Sequence, residues 1–226
     1  MSGRRRTRTH SELDKFYWAP KNDHQRQART GILEKEVSFL VGPPGVGKTH
    51  TALYTAFELL DNKKSKIHKV ILSKPIIGAG EDLGYLPGFA EEKLSPYLIS
   101  FYDLIEKSGH PRSQEWLEPD NGVVEILPTS LMLGITVENT VLILDDSQNL
   151  TPLQYQLILT RLGETGKIIF CGDEKQLYIK KGNSGLEDAV SKFQHSKYVN
   201  VVRFDVEDIC RSGFVREVIE AYLTSN

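Results

Sequence analysis

The chain has 226 residues, of which 39% are hydrophobic, 26% charged and 9% aromatic, and its net charge is −2. These proportions exclude a collagen-like chain and wholesale disorder, and no apolar run approaches the roughly 20 residues that a membrane span requires. The length fits one well-cored domain or two small ones. Cys171 and Cys210 make no disulfide framework, and no apolar signal core follows the basic N-terminal residues, so the expectation is a cytoplasmic protein with reduced thiols and no membrane partner.

Charge is uneven along the chain. Residues 1–30 carry eight Lys or Arg against three acids, whereas the remainder holds 20 basic and 27 acidic residues. Residues 1–15 therefore read as a basic, flexible tail ahead of a single domain over 16–226, and attraction for a phosphate backbone is local to a tail or groove. Short β-branched or aromatic runs predict strands at 37–41, 70–73, 123–127, 141–144, 168–171 and 199–204. Helices are expected at 48–60, 152–162, 186–193 and 214–223, with Thr151-Pro152 supplying a cap and a first-turn proline for the second of these. This alternation belongs to an α/β fold, a parallel sheet with helices on both faces. The Gly- and Pro-rich stretch 75–121 reads as a loop-and-helix insertion over one end of the sheet.

Gly42-Pro43-Pro44-Gly45-Val46-Gly47-Lys48-Thr49 fits G-x-x-x-x-G-K-[ST], placed between a strand and a helix as a phosphate-binding loop must be. Its amides and the helix N-terminus would cradle the phosphates of ATP. Lys48 would reach the β- and γ-phosphates, Thr49 would help hold Mg²⁺, and His50 completes the cofactor-binding run. The strand 141–144 then delivers Asp145 and Asp146. Asp145 is the expected Mg²⁺-side carboxylate, acting through water. Asp146 stands where it could polarise the attacking water. Strand 168–171 ends in Gly172-Asp173-Glu174-Lys175-Gln176, and Gln176 or Asp173 could sense the γ-phosphate and orient that water.

Together these residues resemble the PhoH-like P-loop ATPases, which are similar to the first RecA-like domain of superfamily 1 helicases. The resemblance extends from Phe16 to Tyr222. Beyond the phosphate loop it rests on Leu72-Ser73-Lys74-Pro75, on Ala79-Gly80-Glu81-Asp82-Leu83-Gly84-Tyr85-Leu86-Pro87-Gly88, on Asp145-Asp146-Ser147-Gln148-Asn149, and on Leu159-Thr160-Arg161-Leu162-Gly163. Gly172-Asp173-Glu174-Lys175-Gln176, Ser184-Gly185-Leu186 and Glu207-Asp208-Ile209-Cys210-Arg211 complete the series.

The resemblance implies a RecA-like fold, and it makes Gln25, otherwise a solvated helix residue, a reader of the adenine edge. It makes Arg211 and Arg161 candidates for stabilising charge on the γ-phosphoryl group, in cis or across a subunit boundary. It also implies action on single-stranded nucleic acid, RNA ahead of DNA, and a homo-oligomeric ring, with a hexamer as the suggested number. Three positions depart from the family pattern: Lys74 stands for Arg, Asp146 for Glu and Ser147 for Ala. The leading expectation is an ATP-hydrolysing, helicase-like motor with Lys48, Asp146, Gln176, Arg211 and Arg161 as catalytic residues. The alternative is a nucleotide-dependent assembly or regulatory switch with little hydrolysis. A small-molecule kinase is disfavoured because no separate lid with an arginine cluster is evident.

Overall fold

A computed structural model describes residues 18–75, 90–118, 120, 122–132, 134–176 and 184–223. The expected basic tail and the Ala79 to Gly88 block lie outside the described residues.

Six strands, β1 (Val37–Val41), β2 (Lys69–Lys74), β3 (Val124–Pro128), β4 (Thr140–Leu144), β5 (Lys167–Gly172) and β6 (Val199–Arg203), form one parallel sheet in the order β3-β2-β4-β5-β1-β6. Each begins and ends within one residue of its expected bounds. β1 and β4 are buried at every position because the sheet is covered on both sides. Alternate strand residues serve two cores. Leu40, Val70, Leu72, Val141, Ile143 and Ile169 pack with α1 (Asp23–Glu34), α2 (Lys48–Asp61), α3 (Ala90–Lys107) and α4 (Ser113–Trp116). Phe39, Ile71, Leu142, Leu144, Ile168 and Phe170 face α5 (Thr129–Met132), α6 (Pro152–Leu159) and α7 (Leu186–Phe193). The last helix, α8 (Gly213–Leu223), adds Ile219 to the first core.

Helix α6 has the expected Thr151 cap, with Thr151 and Gln154 forming a capping box, but it ends at Leu159 and not at Leu162. The Thr160 hydroxyl turns back to the Leu157 carbonyl, and Leu162 is drawn into a bridge with Val137. No described helix is long and apolar enough to cross a membrane.

The insertion contributes α3 and α4, and two of its aromatics are core residues: Phe101 is 1% exposed and Trp116 3%. Its anchor to α2 is Asp61. The Arg112 backbone N–H lies 3.2 Å from His110 Nδ1, His110 Nε2 meets the Asp61 carboxylate at 2.9 Å, and the Arg112 guanidinium donates to the same carboxylate. His110 stacks on Trp116, and the Arg112 guanidinium lies over that indole.

Burial pushes the Asp61 carboxyl up, but the bonds from His110 and Arg112 outweigh it and hold it below its ordinary value. Stability from such a depressed group is present above the unfolded value near 4 and is lost as pH falls through the folded one. Asp61→Asn should therefore lower the melting temperature at pH 7 by about 2–4 °C, as expected for a loss of about 1 kcal/mol. Thermal unfolding followed by circular dichroism should find the deficit shrinking below about pH 4.

Candidate nucleotide-binding site

The phosphate loop leaves the C-terminal end of β1 and enters α2 with Gly42, Gly45 and Gly47 at φ values of 153°, 82° and 86°. Only residues without a Cβ take these angles readily. At Gly42 a Cβ would also lie 2.6 Å from the Phe204 carbonyl oxygen, and at Gly47 it would lie 2.8 Å from the Gln25 amide nitrogen. The Lys48 ammonium turns back into the loop, donating to the carbonyls of Gly42 at 2.6 Å and Pro43 at 2.8 Å. Burial pushes its pKa down, while Asp173, Cys171, Asp145 and Asp146 act in the opposite direction, in that order. A phosphate chain entering the loop would give this cation an anionic partner in place of two carbonyls.

β5 lies between β1 and β4, so the acids of two strands face the loop from successive positions. Asp145 follows β4 directly and accepts a hydrogen bond from the Thr49 hydroxyl at 2.8 Å. Burial first, and then the neighbouring Asp146, raises its pKa. A carboxylate destabilised in this way, beside a hydroxyl, fits a divalent cation that would neutralise it. Asp146 takes a left-handed backbone, φ 50°, and its carboxylate pairs with Lys74 at 3.1 Å, so two of the three departures from the family pattern meet each other. The third, Ser147, is fully buried and its hydroxyl donates to the Cys171 carbonyl at 2.9 Å.

At the end of β5, Asp173 is 6% exposed, and its carboxyl is raised chiefly by burial. Gln148 escaped the sequence-based assignment of the site. Its amide accepts from the Asp173 N–H and donates to the Gln176 carbonyl, both at 3.1 Å, bracketing the ends of β4 and β5. The sequence signal was its place two residues beyond the acidic pair. The exposed Gln176 side chain lines the same cleft as Lys48, Thr49, Asp145, Asp146 and Asp173. That cleft, of 240 Å³, continues past His50 and Arg211 into a second space of 470 Å³ bordered by Lys21, Tyr54 and Phe101.

Gln25 is buried, 3% exposed, and not a solvated helix residue. It lies on the inner face of α1, where its amide donates to the Val46 carbonyl at 2.9 Å and accepts from the Lys21 N–H at 2.8 Å. Both ends of the amide are engaged, one of them by the loop. Arg211 is carried over the loop by a segment tied down at two points: the Cys210 N–H donates to the Gly45 carbonyl at 3.0 Å, and His24 meets Asp208 at 2.5 Å. It lines the cleft of its own chain and makes no hydrogen bond or ion pair among the described residues. Arg161, by contrast, lies near the N-terminal end of β4, opposite the end that bears the cleft, where its carbonyl accepts from Val137. It is not part of its own chain's cleft, and any contact with phosphate would have to be made in another subunit.

A glycine-rich loop at the mouth of a parallel sheet, its lysine lining a cleft rimmed by acids of the next two strands, defines a P-loop NTPase of the α/β class. The family model for PhoH-like proteins matches residues 18–223, and the chain belongs to that family. It is 39% identical over 204 residues to Protein PhoH of Escherichia coli (strain K12), an alignment covering 89% of this chain and 57% of that protein. To a PhoH-like protein of Bacillus subtilis (strain 168) it is 37% identical, covering 89% and 63%. The chain thus spans less than two thirds of the length of either relative. Among solved structures, the DUF1998 helicase MrfA bound to DNA aligns at a TM-score of 0.46 and 11% identity, covering 80% of this chain and 27% of that one. The Bacteroides sp Pif1 complex with ADP-AlF4 aligns at 0.36 and 15%, covering 81% and 41%.

The engaged amide of Gln25 gives a test of its role. Gln25→Ala should weaken ATP and GTP binding alike, by about tenfold each, because what is lost is a loop support worth about one buried hydrogen bond. Titration with fluorescent analogues of both nucleotides checks this. A loss confined to ATP would instead assign the residue to the adenine edge.

Proposed function

We propose that the protein binds ATP with Mg²⁺ and hydrolyses the β–γ bond, using that energy for a conformational step on single-stranded nucleic acid, with RNA favoured over DNA. The observation that carries the hydrolytic part is the convergence on one cleft of Lys48, the Thr49–Asp145 pair, the acids Asp146 and Asp173, and Gln176. Lys48 would leave its two carbonyl partners for the β- and γ-phosphates, and the loop amides would hold the chain of phosphates in line. Thr49 and Asp145 would hold the magnesium ion, which supplies neutralisation of charge on the phosphate oxygens. Arg211, free of described partners and beside Gly45, would meet charge developing on the γ-phosphoryl group.

Support for the nucleic-acid step is the helicase-like order of the motifs. The described aromatics Phe101 and Trp116 are buried, which leaves stacking on bases to other residues. A homo-oligomeric ring, with six as the suggested number, belongs to the same proposal. The switch reading is favoured by one observation: the Lys74–Asp146 ion pair occupies an acid that a fast hydrolase would use.

Steady-state phosphate release separates the two. The motor reading expects turnover that rises severalfold with single-stranded RNA and falls at least a hundredfold in Lys48→Ala. Tight ATP binding with negligible turnover in every condition would leave the switch. Arg211→Ala should keep ATP affinity within about threefold and lose most turnover. Because Arg211 lines its own chain's cleft, mixing that variant with Lys48→Ala protein should restore nothing, and recovery would place the arginine in a neighbour's site.

A further inference from the structure

The backbone around the acidic pair at the end of β4 is fixed by hydrogen bonds on both sides. The Asp145 N–H donates to the Ser73 carbonyl at 2.8 Å, and the Asn149 N–H donates to the Asp146 carbonyl at 3.0 Å. Between them the buried Ser147 hydroxyl donates to the Cys171 carbonyl at 2.9 Å. Asp146 is thereby set in a left-handed conformation, φ 50°, which few residues other than glycine adopt. What stays adjustable at this position is the direction of its side chain. Asp146 lines the nucleotide cleft, yet its carboxylate meets the Lys74 ammonium at 3.1 Å. Lys74 ends β2, which flanks β4 on the side away from β5 and the phosphate loop, and it does not line that cleft. A carboxylate held in this way is a poor acceptor for the proton of a water molecule in the cleft.

The pair is one that another anion can exchange. Both side chains reach water, Lys74 being 19% and Asp146 38% exposed, and ion pairs open to solvent are weakly held. An ammonium on a flexible stem changes partner without rebuilding the planar fork that a guanidinium presents. Because Lys74 is partly exposed and stands outside the cleft, an anion reaches it without displacing the nucleotide. A free anion competes poorly with a carboxylate already in place, whereas a polyanion gripped at other points delivers its phosphates at high local concentration and gains from counterion release. The chemistry that fits Lys74 is therefore a backbone phosphate of single-stranded nucleic acid.

We propose that Lys74 is a positioning residue that keeps Asp146 out of action until a phosphate of single-stranded nucleic acid takes its ammonium, and that Asp146 then turns into the cleft and serves the attacking water. This rests on the ATPase reading above. It also gives the motor and the switch one origin. With Lys74 on Asp146 the site holds nucleotide and turns over little, and with Lys74 on nucleic acid it cleaves. The exchange leaves the Thr49–Asp145 bond and the loop contacts of Lys48 untouched, so it acts on kcat and not on nucleotide affinity.

The test is ATP turnover with magnesium, measured with and without single-stranded oligouridylate and with its methylphosphonate analogue, whose backbone carries no charge. Oligouridylate should raise kcat of the unmodified protein severalfold with KM within about threefold, and the uncharged analogue should raise it by less than about twofold. Lys74→Met should turn over without RNA at about the stimulated rate and respond to RNA by less than about twofold. Lys74→Arg, which keeps a cation, should restore both the low basal rate and the response. Adding Asp146→Asn to Lys74→Met should remove at least tenfold, because the gain runs through that acid. The proposal is overturned if Lys74→Met keeps a low basal rate and a full RNA response, if it falls as far as Asp146→Asn, or if its raised rate is still multiplied severalfold by RNA. Equal stimulation by the charged and uncharged backbones overturns it without any variant, so the outcome does not depend on Lys74→Met folding. Protein that binds ATP and cleaves none under every condition, Lys74→Met included, would instead bring down the ATPase reading.

Discussion

A lysine buried at the first turn of α2 cannot keep its charge without partners, and much of the C-terminal edge of the sheet is arranged around that requirement. In this structure Lys48 is satisfied by the carbonyls of Gly42 and Pro43, inside the loop it serves. Its electrostatic support comes from carboxylates on two strands, possible only because β5 is inserted between β1 and β4. The same insertion brings Asp145 to Thr49 and Asp173 to the flank of the loop. Asp145 and Asp173 are both raised chiefly by burial, which is the state expected of a site built to receive cations and phosphate together.

The loop is also held from outside. Gln25 on α1 supports Val46, and Cys210 supports Gly45, so elements about 185 residues apart in the chain close on the same turn. His24 and Asp208 fasten the two supports to each other. Holding a glycine-rich turn in place matters because its backbone freedom would otherwise be lost when the ligand binds. Both spacer positions that follow the acidic pair are used in a similar way: Ser147 ties β4 to Cys171 and Gln148 ties it to Asp173. The apex of the site is therefore a rigid bracket, with one exposed arginine, Arg211, standing over it.

Much of this was legible in the residues themselves. Strand positions followed from β-branched runs, since a strand buried on both faces has little room for polar residues, and the phosphate loop followed from glycine spacing that few other structures require. Helix α1 was harder to read because its inner face is made of Gln25, Ala28, Gly31 and Ile32, a weakly apolar stripe that gains its meaning only when it meets the loop and β6. The end of α6 was misplaced for a similar reason: Leu162 fits the helical stripe, but a bridge to Val137 competes for it. The aromatics of the insertion could have been read either as stacking surface or as core, and packing against α2 placed Phe101 and Trp116 in the core.

What the sequence by itself determined is the class of chemistry: a strand, a glycine turn, a lysine and a carboxylate at a strand end, each specified by local spacing and backbone sterics. The tertiary structure alone decided which carboxylate faces the loop and which is occupied. Lys74 and Asp146, read from the chain as two separate departures, turn out to be partners, and Asp173, read as a candidate sensor of the γ-phosphate, has one buried oxygen without a partner among the described residues. The physical reason is the strand order. Neighbours in a parallel sheet are set by crossovers, so the distance between charges on β2, β4 and β5 depends on packing that no local pattern encodes.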